Sequence, residues 1–223
     1  LGSSIDYNKK ILTINNKKQT KTFATYSLVK TMRAGILVLG PLLAKFGKAK
    51  VSLPGGCAIG TRPVDFHLSA LEQLGARIEL KNGYIEASAK KLIGCEISFP
   101  GISVTGTENI MMAAVLAKGQ TILRNVAKEP EVEDLAKFLN SMGAKVSRAG
   151  TDEITINGVD DLNESIFAVP ADRIEAGTYL IAAAVTYGDI TIQNINANRM
   201  NNILDKLKLS GALIETNDNS IRL

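Results

Sequence analysis

The chain has 223 residues, 45% of them apolar and 22% charged, the balance of a globular protein with ample material for a core. It holds no run of about 18 apolar residues, so nothing in it reads as a membrane-spanning helix. A net charge of +4 without a dense Lys/Arg block or interleaved aromatics suits small anionic ligands and argues against nucleic acid, and two Cys with one His argue against a disulfide framework and a structural zinc site.

In chain order, Ser4 to Asn15 reads as two short strands about a turn at Asn8, Lys9 and Lys10. From Tyr26 to Leu43, Leu28, Met32, Ile36, Leu39 and Leu43 recur at threes and fours, which predicts a helix kinked or ended at Pro41. Val51 to Leu53 reads as a strand, followed by the glycine-rich stretch LPGGCAIGTRPVD from Leu53 to Asp65. Pro63 suits a first helical turn, and Val64, Leu68, Leu71 and Leu74 then form an apolar face that stops at Gly75. His67 is expected to face away from that stripe, as a helix-surface or supporting residue rather than a base. A hairpin pairs Arg77 to Leu80 with Tyr84 to Ala87 across Asn82-Gly83. Cys95, in the strand-like GCEISF, reads as a small buried apolar residue. Glu129, Glu131, Glu133 and Asp134 suit the first turn of a helix.

The units recur. LEQLGARIELKNGYIEAS, FLNSMGAKVSRAGTDEITING and LKLSGALIETNDNSIRL each read as a helix end, a glycine turn and a hairpin, with turn glycines at 75, 143 and 211, about 68 residues apart. Gly2 opens a degenerate fourth copy. Between them, NIMMAAVLAKGQTILRN and GTYLIAAAVTYGDITIQN each read as an apolar helix, a Gly (Gly119, Gly188) and a strand. Such repeats bury their apolar faces only against neighbours. The expected class is α/β (α+β), and helices apolar nearly all round, Met111 to Ala117 and Tyr179 to Val185, belong inside a ring of mixed sheets.

The same spacing isolates the thiol loop. The segment from helix-end Gly to turn Gly is four or five residues longer between Gly47 and Gly75 than in the other copies. Where they continue with Arg124-Asn125 or Gln193-Asn194, this one inserts PGGCAIG. The plainer reading is a surface turn with an incidental thiol. The repeat favours a working one, because Gly55, Gly56 and Gly60 expose Cys57 beside the cation Arg62.

PGGC followed by IG, one further residue and RPVD, together with SVTGTENIMMAAVLA, EPEVEDLAKFLNSMGAK and DRIEAGTYLIAAA in the same order, resembles the enolpyruvyl transferases, within them the UDP-N-acetylglucosamine 1-carboxyvinyltransferases. The resemblance covers essentially the whole chain. It implies an inside-out α/β barrel with buried helices, and transfer of the enolpyruvyl group of phosphoenolpyruvate to the 3-hydroxyl of UDP-N-acetylglucosamine with release of phosphate. It implies no cofactor, a cytoplasmic setting, and fosfomycin as a covalent inhibitor.

By the same resemblance Cys57 matches the family's general acid and site of alkylation, and Arg62 an arginine that binds phosphoenolpyruvate. Arg33 matches a UDP-sugar contact; read alone it is also an ordinary solvated helix cation. Pro63, Val64, Asp65 and Phe66 match the stretch that cradles the uridine. Val64 and Phe66 equally suit core positions, and Asp65 suits a first-turn charge. Ser103, Val104 and Thr105 match the loop that meets the diphosphate and ribose. Members of the family often carry Lys two residues before that Ser and Gly two after it, where this chain has Gly101 and Thr105, which leaves backbone contacts there. The first residue is Leu, so the chain reads as a piece of a longer protein. Residues 1–169 would be a Cys-loop domain lacking its first elements, and residues 170–223 one repeat of a partner domain. The family's Lys-Asn pair, catalytic Asp and further arginines have no match here, so the chain alone is expected to be inactive. The alternative is a non-catalytic UDP-sugar- or phosphate-binding piece, or one that self-associates through unpaired repeat edges.

Overall fold

Period-two apolar patterns and left-handed residues at helix ends lay this chain out as strands and turns. The computed structural model describes residues 1–16, 21–54 and 64–223, in two units, Leu1–Ile166 and Phe167–Leu223. The first unit opens with the hairpin β1 (Ser4–Asn8) and β2 (Ile11–Asn15). Then come β3 (Phe23–Ala24), α1 (Tyr26–Val29), a 3-10 segment Arg33–Val38 and α2 (Leu39–Phe46). The single helix expected over Tyr26 to Leu43 is thus broken. Met32 is extended, and Gly35 lies so close to Val29 that a Cβ there would stand 2.8 Å from its Cγ1, so the chain doubles back. Pro41 neither kinks nor ends a helix. It is the third residue of α2, where an N–H has no intrahelical partner to lose.

Two copies of one pattern follow. The first has β4 (Lys48–Ser52), α3 (Asp65–Gln73), β5 (Arg77–Lys81) and β6 (Tyr84–Ser88). After β7 (Glu96–Ser98) and α4 (Val104–Ala114), the second has β8 (Gln120–Arg124), α5 (Pro130–Ser141), β9 (Lys145–Ser147) and β10 (Glu153–Asn157). The two sheets have the same order, β3-β4-β6-β5 and β7-β8-β10-β9. The first pair in each is parallel and the others antiparallel, because a helical crossover returns the chain to its starting end while hairpins do not. Asn82 and Gly83 both take positive φ, 50° and 78°, as a two-residue hairpin turn requires. The second unit holds α6 (Arg173–Val185), β11 (Thr191–Gln193), α7 (Asn201–Leu209), β12 (Glu215–Asn217) and β13 (Ser220–Arg222), with sheet order β11-β13-β12.

The repeat is visible in the backbone. Gly75, Gly143 and Gly211 close α3, α5 and α7 with φ of 94°, 97° and 98°, and Asn125 and Asn194 both take positive φ just past β8 and β11. Of the two glycines between an apolar helix and a strand, Gly119 takes positive φ, 90°, whereas beside Gly188 the left-handed residue is Tyr187.

Helix α4 is the centre of the first unit. It packs against α2, α3, α5, the 3-10 segment and β10, and Ile110, Met111 and Ala113 are fully buried. The sheets turn their outer faces to water, with cross-strand ion pairs such as Lys50 with Glu86 at 2.7 Å. Helices inside sheets therefore describes this unit. In the second unit the expectation fails for Tyr179 to Val185: Tyr179 is 60% and Val185 71% exposed, and only Ala176, Gly177, Leu180 and Ala183 of α6 are buried. A single repeat has one sheet and one further helix to offer, and they cover one side of α6. Among the described residues no helix is long and apolar enough to cross a membrane.

These contacts set a contrast between two substitutions on the same helix. Gly75→Ala meets no atom within 4 Å, so only its positive φ is penalised, at about 1 kcal/mol. Leu71→Ala empties a fully buried site and costs about 2–5 kcal/mol. Urea denaturation of both variants is expected to rank them in that order.

Candidate functional site

The 3-10 segment and α3 reach the same region because α4 packs against both. His67, on the first turn of α3, is the hub. It falls between Leu71 and Leu74 on the helical wheel, not away from the apolar stripe, and it is 1% exposed. The expectation of a surface His is corrected: the buried face of α3 runs through Val64, His67, Ala70, Leu71 and Leu74.

The partner of His67 is Asn109 of α4, whose Nδ2 lies 2.9 Å from His67 Nδ1. Asn109 Nδ2 also donates to Ile36 O at 3.3 Å, and its Oδ1 accepts the Gly40 N–H at 2.8 Å. Its amide is therefore oriented, since the carbonyl of Ile36 needs a donor and the N–H of Gly40 an acceptor. His67 Nδ1 must then accept, and Nε2, 3.4 Å from Thr105 Oγ1, carries the proton. Burial, and secondarily the charge of Arg33, lowers the His67 pKa from 6.5 to about 4. The ring is neutral at physiological pH. Gly40 is required for this packing, because a Cβ there would stand 2.5 Å from both Asn109 O and Oδ1.

Arg33 begins the 3-10 segment, half-buried, within electrostatic reach of His67. Val64 is buried at the start of α3, Asp65 is exposed, and Phe66 is half-buried with its ring 3.4 Å from where a Cβ on Gly101 would lie. Ser103 caps α4, its hydroxyl accepting the Gly106 N–H at 3.1 Å. Val104 and Thr105 form the first turn behind it, half-buried. These three segments converge on His67. Cys57, Arg62 and Pro63 lie outside the described residues.

Two polar residues escaped the sequence reading. Asn109 and Thr107 lie in the mostly polar first half of α4, TGTEN, and only their full burial sets them apart from the half-buried Thr105 and Glu108 beside them, so residue order carries no signal for them. Thr107 Oγ1 donates to Ser103 O at 2.8 Å and accepts the Ala127 N–H at 3.1 Å, tying the start of α4 to the chain that leads into α5. Glu108, beside them, is raised to about 7 by burial, and further by Glu131 and Glu129. Glu131 and Glu133 take the first turn of α5 as expected, with Glu129 at its cap. Cys95 is half-buried rather than buried, its Sγ donating to Gln73 O at 3.4 Å, and burial pushes its thiol pKa up. A groove on the outer face of β4, β5 and β6 is lined by Lys50, Arg77, Glu79 and Glu86, which pair with one another or with Lys81. None of the expected site residues among those described lines it.

Comparison with known proteins adds the relatives. The family model for EPSP synthase (3-phosphoshikimate 1-carboxyvinyltransferase) matches residues 1–223. A curated protein of Vesicomyosocius okutanii named UDP-N-acetylglucosamine 1-carboxyvinyltransferase is 61% identical over 212 residues, 95% of this chain and 51% of its own length. One of the same name from Pelagibacter ubique is 57% identical over 222 residues, 99% of this chain and 53% of its own. The chain spans about half the length of the curated relatives it matches. Among solved structures, the enolpyruvyl transferase NikO of Streptomyces tendae has a TM-score of 0.81 at 20% identity, over 99% of this chain and 54% of that one. The EPSP synthase of Acinetobacter baumannii has a TM-score of 0.72 at 20% identity, over 100% and 53%. These two likenesses carry the fold: an enolpyruvyl transferase α/β architecture.

The buried imidazole leads to a pH dependence. The folded pKa lies below the unfolded one, so its contribution is complete above pH 6.5 and is lost as pH falls toward 4, when the unfolded ring takes a proton the folded one refuses. The loss amounts to about 3 kcal/mol. Subtracting the pH–stability curve of His67→Gln from that of the parent is expected to expose it. Glu108 runs the other way: its raised pKa lowers stability as pH climbs from 4.5 to about 7, so Glu108→Gln is expected to be the more stable protein at pH 8.

Proposed function

The chain belongs to the EPSP synthase family, and on that premise we propose that it carries the thiol-loop half of a UDP-N-acetylglucosamine 1-carboxyvinyltransferase site. The whole protein would transfer the enolpyruvyl group of phosphoenolpyruvate to the 3-hydroxyl of UDP-N-acetylglucosamine in the cytoplasm, the first committed step of peptidoglycan synthesis. One observation carries this reading. Arg33 and the Ser103 to Thr105 segment, both far from it in sequence, come to one buried imidazole, His67, which follows directly on Val64 to Phe66 and, four residues back, on PGGCAIGTRP.

In this reading Cys57 gives its proton to the methylene carbon of phosphoenolpyruvate while the sugar hydroxyl adds to the adjacent carbon and gives up its own proton. The tetrahedral adduct then loses phosphate, which carries off the hydroxyl's proton as hydrogen phosphate, and the Cys57 thiolate takes back a proton from the new methyl group, to leave the enolpyruvyl ether. Arg62 holds the carboxylate or phosphate with its planar fork. The start of α3 supports the same charge, since Val64 offers no side-chain cap to the first N–H groups. Val64 and Phe66 present apolar surface to the uracil, and Asp65 an acceptor. At α4, Ser103 satisfies the Gly106 N–H, while those of Val104 and Thr105 are among the donors an α-helix cannot satisfy itself and suit a diphosphate. Residues 1–169 act as the Cys-loop domain and 170–223 as one repeat of the partner domain.

A second reading, self-association, is favoured by the β1–β2 ribbon. Ile5 faces Ile14 and Tyr7 faces Leu12, all on one side and all more than half exposed. Sedimentation as a clean monomer at high concentration would remove it.

Mapping fosfomycin adducts on the whole protein tests the main reading. Alkylation is expected at Cys57 and not at Cys95, whose half-buried thiol resists ionisation. Adducts at Cys95 with Cys57 untouched would sink it. Cys57→Asp is expected to keep turnover and lose drug sensitivity, because a carboxylic acid still supplies a proton but is not alkylated at sulfur. The 223-residue chain alone is expected to release no phosphate.

A further inference from the structure

One polar cluster lies deeper than the site it borders. Asn109 and His67 are both essentially without exposure, and the amide of Asn109 binds three segments at once: Gly40 of α2, Ile36 of the 3-10 segment and His67 of α3. Buried polar groups so placed are costly unless every one is satisfied, and here the satisfaction is directional. Turning the Asn109 amide over would set two donors against each other at Gly40 and two acceptors at Ile36. The imidazole is thereby held with its proton on Nε2, which faces Thr105 Oγ1. A hydroxyl that accepts from an imidazole keeps its own hydrogen for another acceptor. Thr105 is half-buried on the first turn of α4, with part of its surface open.

We propose that Asn109 and His67 are positioning residues that set the Thr105 hydroxyl as a hydrogen-bond donor to a phosphate oxygen of the nucleotide sugar, an inference that rests on Ser103 to Thr105 being the diphosphate loop. The relay works by placement and not by charge, because the ring stays neutral. It also fixes the start of α3 against the start of α4, so the segment that faces the uracil and the one that faces the diphosphate share a single frame.

The test uses the whole protein, assayed by phosphate release with phosphoenolpyruvate and UDP-N-acetylglucosamine. Thr105→Val is expected to raise KM for the UDP-sugar about tenfold, with kcat and the KM for phosphoenolpyruvate little changed, and Thr105→Ser to restore it. His67→Asn keeps an acceptor for Asn109 but is too short for Thr105, and is expected to behave like Thr105→Val. His67→Gln carries its amide out to Thr105 and recovers part of the loss. An unchanged KM in Thr105→Val, or equal behaviour of the two His67 variants, overturns the proposal. Nitrogen-resolved NMR of the single imidazole in the 223-residue chain is a readout independent of activity. It is expected to find a neutral ring protonated at Nε2, and protonation at Nδ1 overturns the relay. If the unsubstituted whole protein releases no phosphate, the functional reading fails, and the NMR result still decides the network.

Discussion

A helix that is apolar on nearly every side has no stable place in water unless something covers every side. The second half of helix α4, Ile110 to Ala114, imposes that demand on the first unit. Burying side chains the size of Ile110 and Met111 is worth about 1.5–3 kcal/mol each, and no single neighbour reaches all of them. The unit meets the demand with α2, α3, α5, the 3-10 segment and the inner face of a sheet. The rest of its layout follows. Each four-stranded sheet gives one face to the helices and the other to water, and each parallel strand pair is closed by a helical crossover, because that is how the chain returns to lay a second strand beside the first.

The same burial explains why polar residues inside this unit are few and why those on α4 are satisfied by one another and by backbone, although Thr121 Oγ1 and Glu129 Oε2 are buried without a partner among the described residues. Asn109 and Thr107 sit on the most buried helix, and each joins α4 to other segments, Asn109 to Gly40, Ile36 and His67, and Thr107 to Ser103 and Ala127. In a core of low polarity an unpaired amide or hydroxyl is heavily penalised, so these contacts specify one arrangement of the helices among several that would bury similar area. Specification of that kind is useful where helix starts must hold a ligand. Of the residues proposed to meet the nucleotide sugar, Val64 to Phe66 stand at the start of α3, Ser103 to Thr105 at the start of α4 and Arg33 on the 3-10 segment, all bordering this cluster.

The second unit shows the limit of a repeat taken singly. Its sheet, its left-handed Gly211 and its hairpin reproduce the pattern of the first unit, yet α6 leaves Tyr179, Ile181 and Val185 open. The amino-acid pattern of α6 is as apolar as that of α4; the number of neighbours differs. The repeat likewise gives the thiol loop its meaning. In two copies an asparagine with positive φ follows the strand directly, and in the third the sequence carries an insertion at that point, the stretch that holds Cys57.

Much of this was legible from residue order alone. The strand pairs, the Asn82-Gly83 turn, the 68-residue period and the buried α4 are local or periodic, and the period of a hydrophobic pattern survives whatever surrounds it. So were the motifs PGGC and RPVD, because each is contiguous; that they belong to a site is part of the proposal. What sequence order could not decide was contact across distance. The break between α1 and α2 depends on Gly35 closing on Val29, the burial of His67 depends on α4 arriving beside α3, and the half-exposure of Cys95 depends on how far Gln73 and the sheet edge cover it. A helical wheel tells which residues share a face. Only the packed neighbour tells how wide that face is, and whether an imidazole at its edge meets water or the amide of an asparagine 42 residues away.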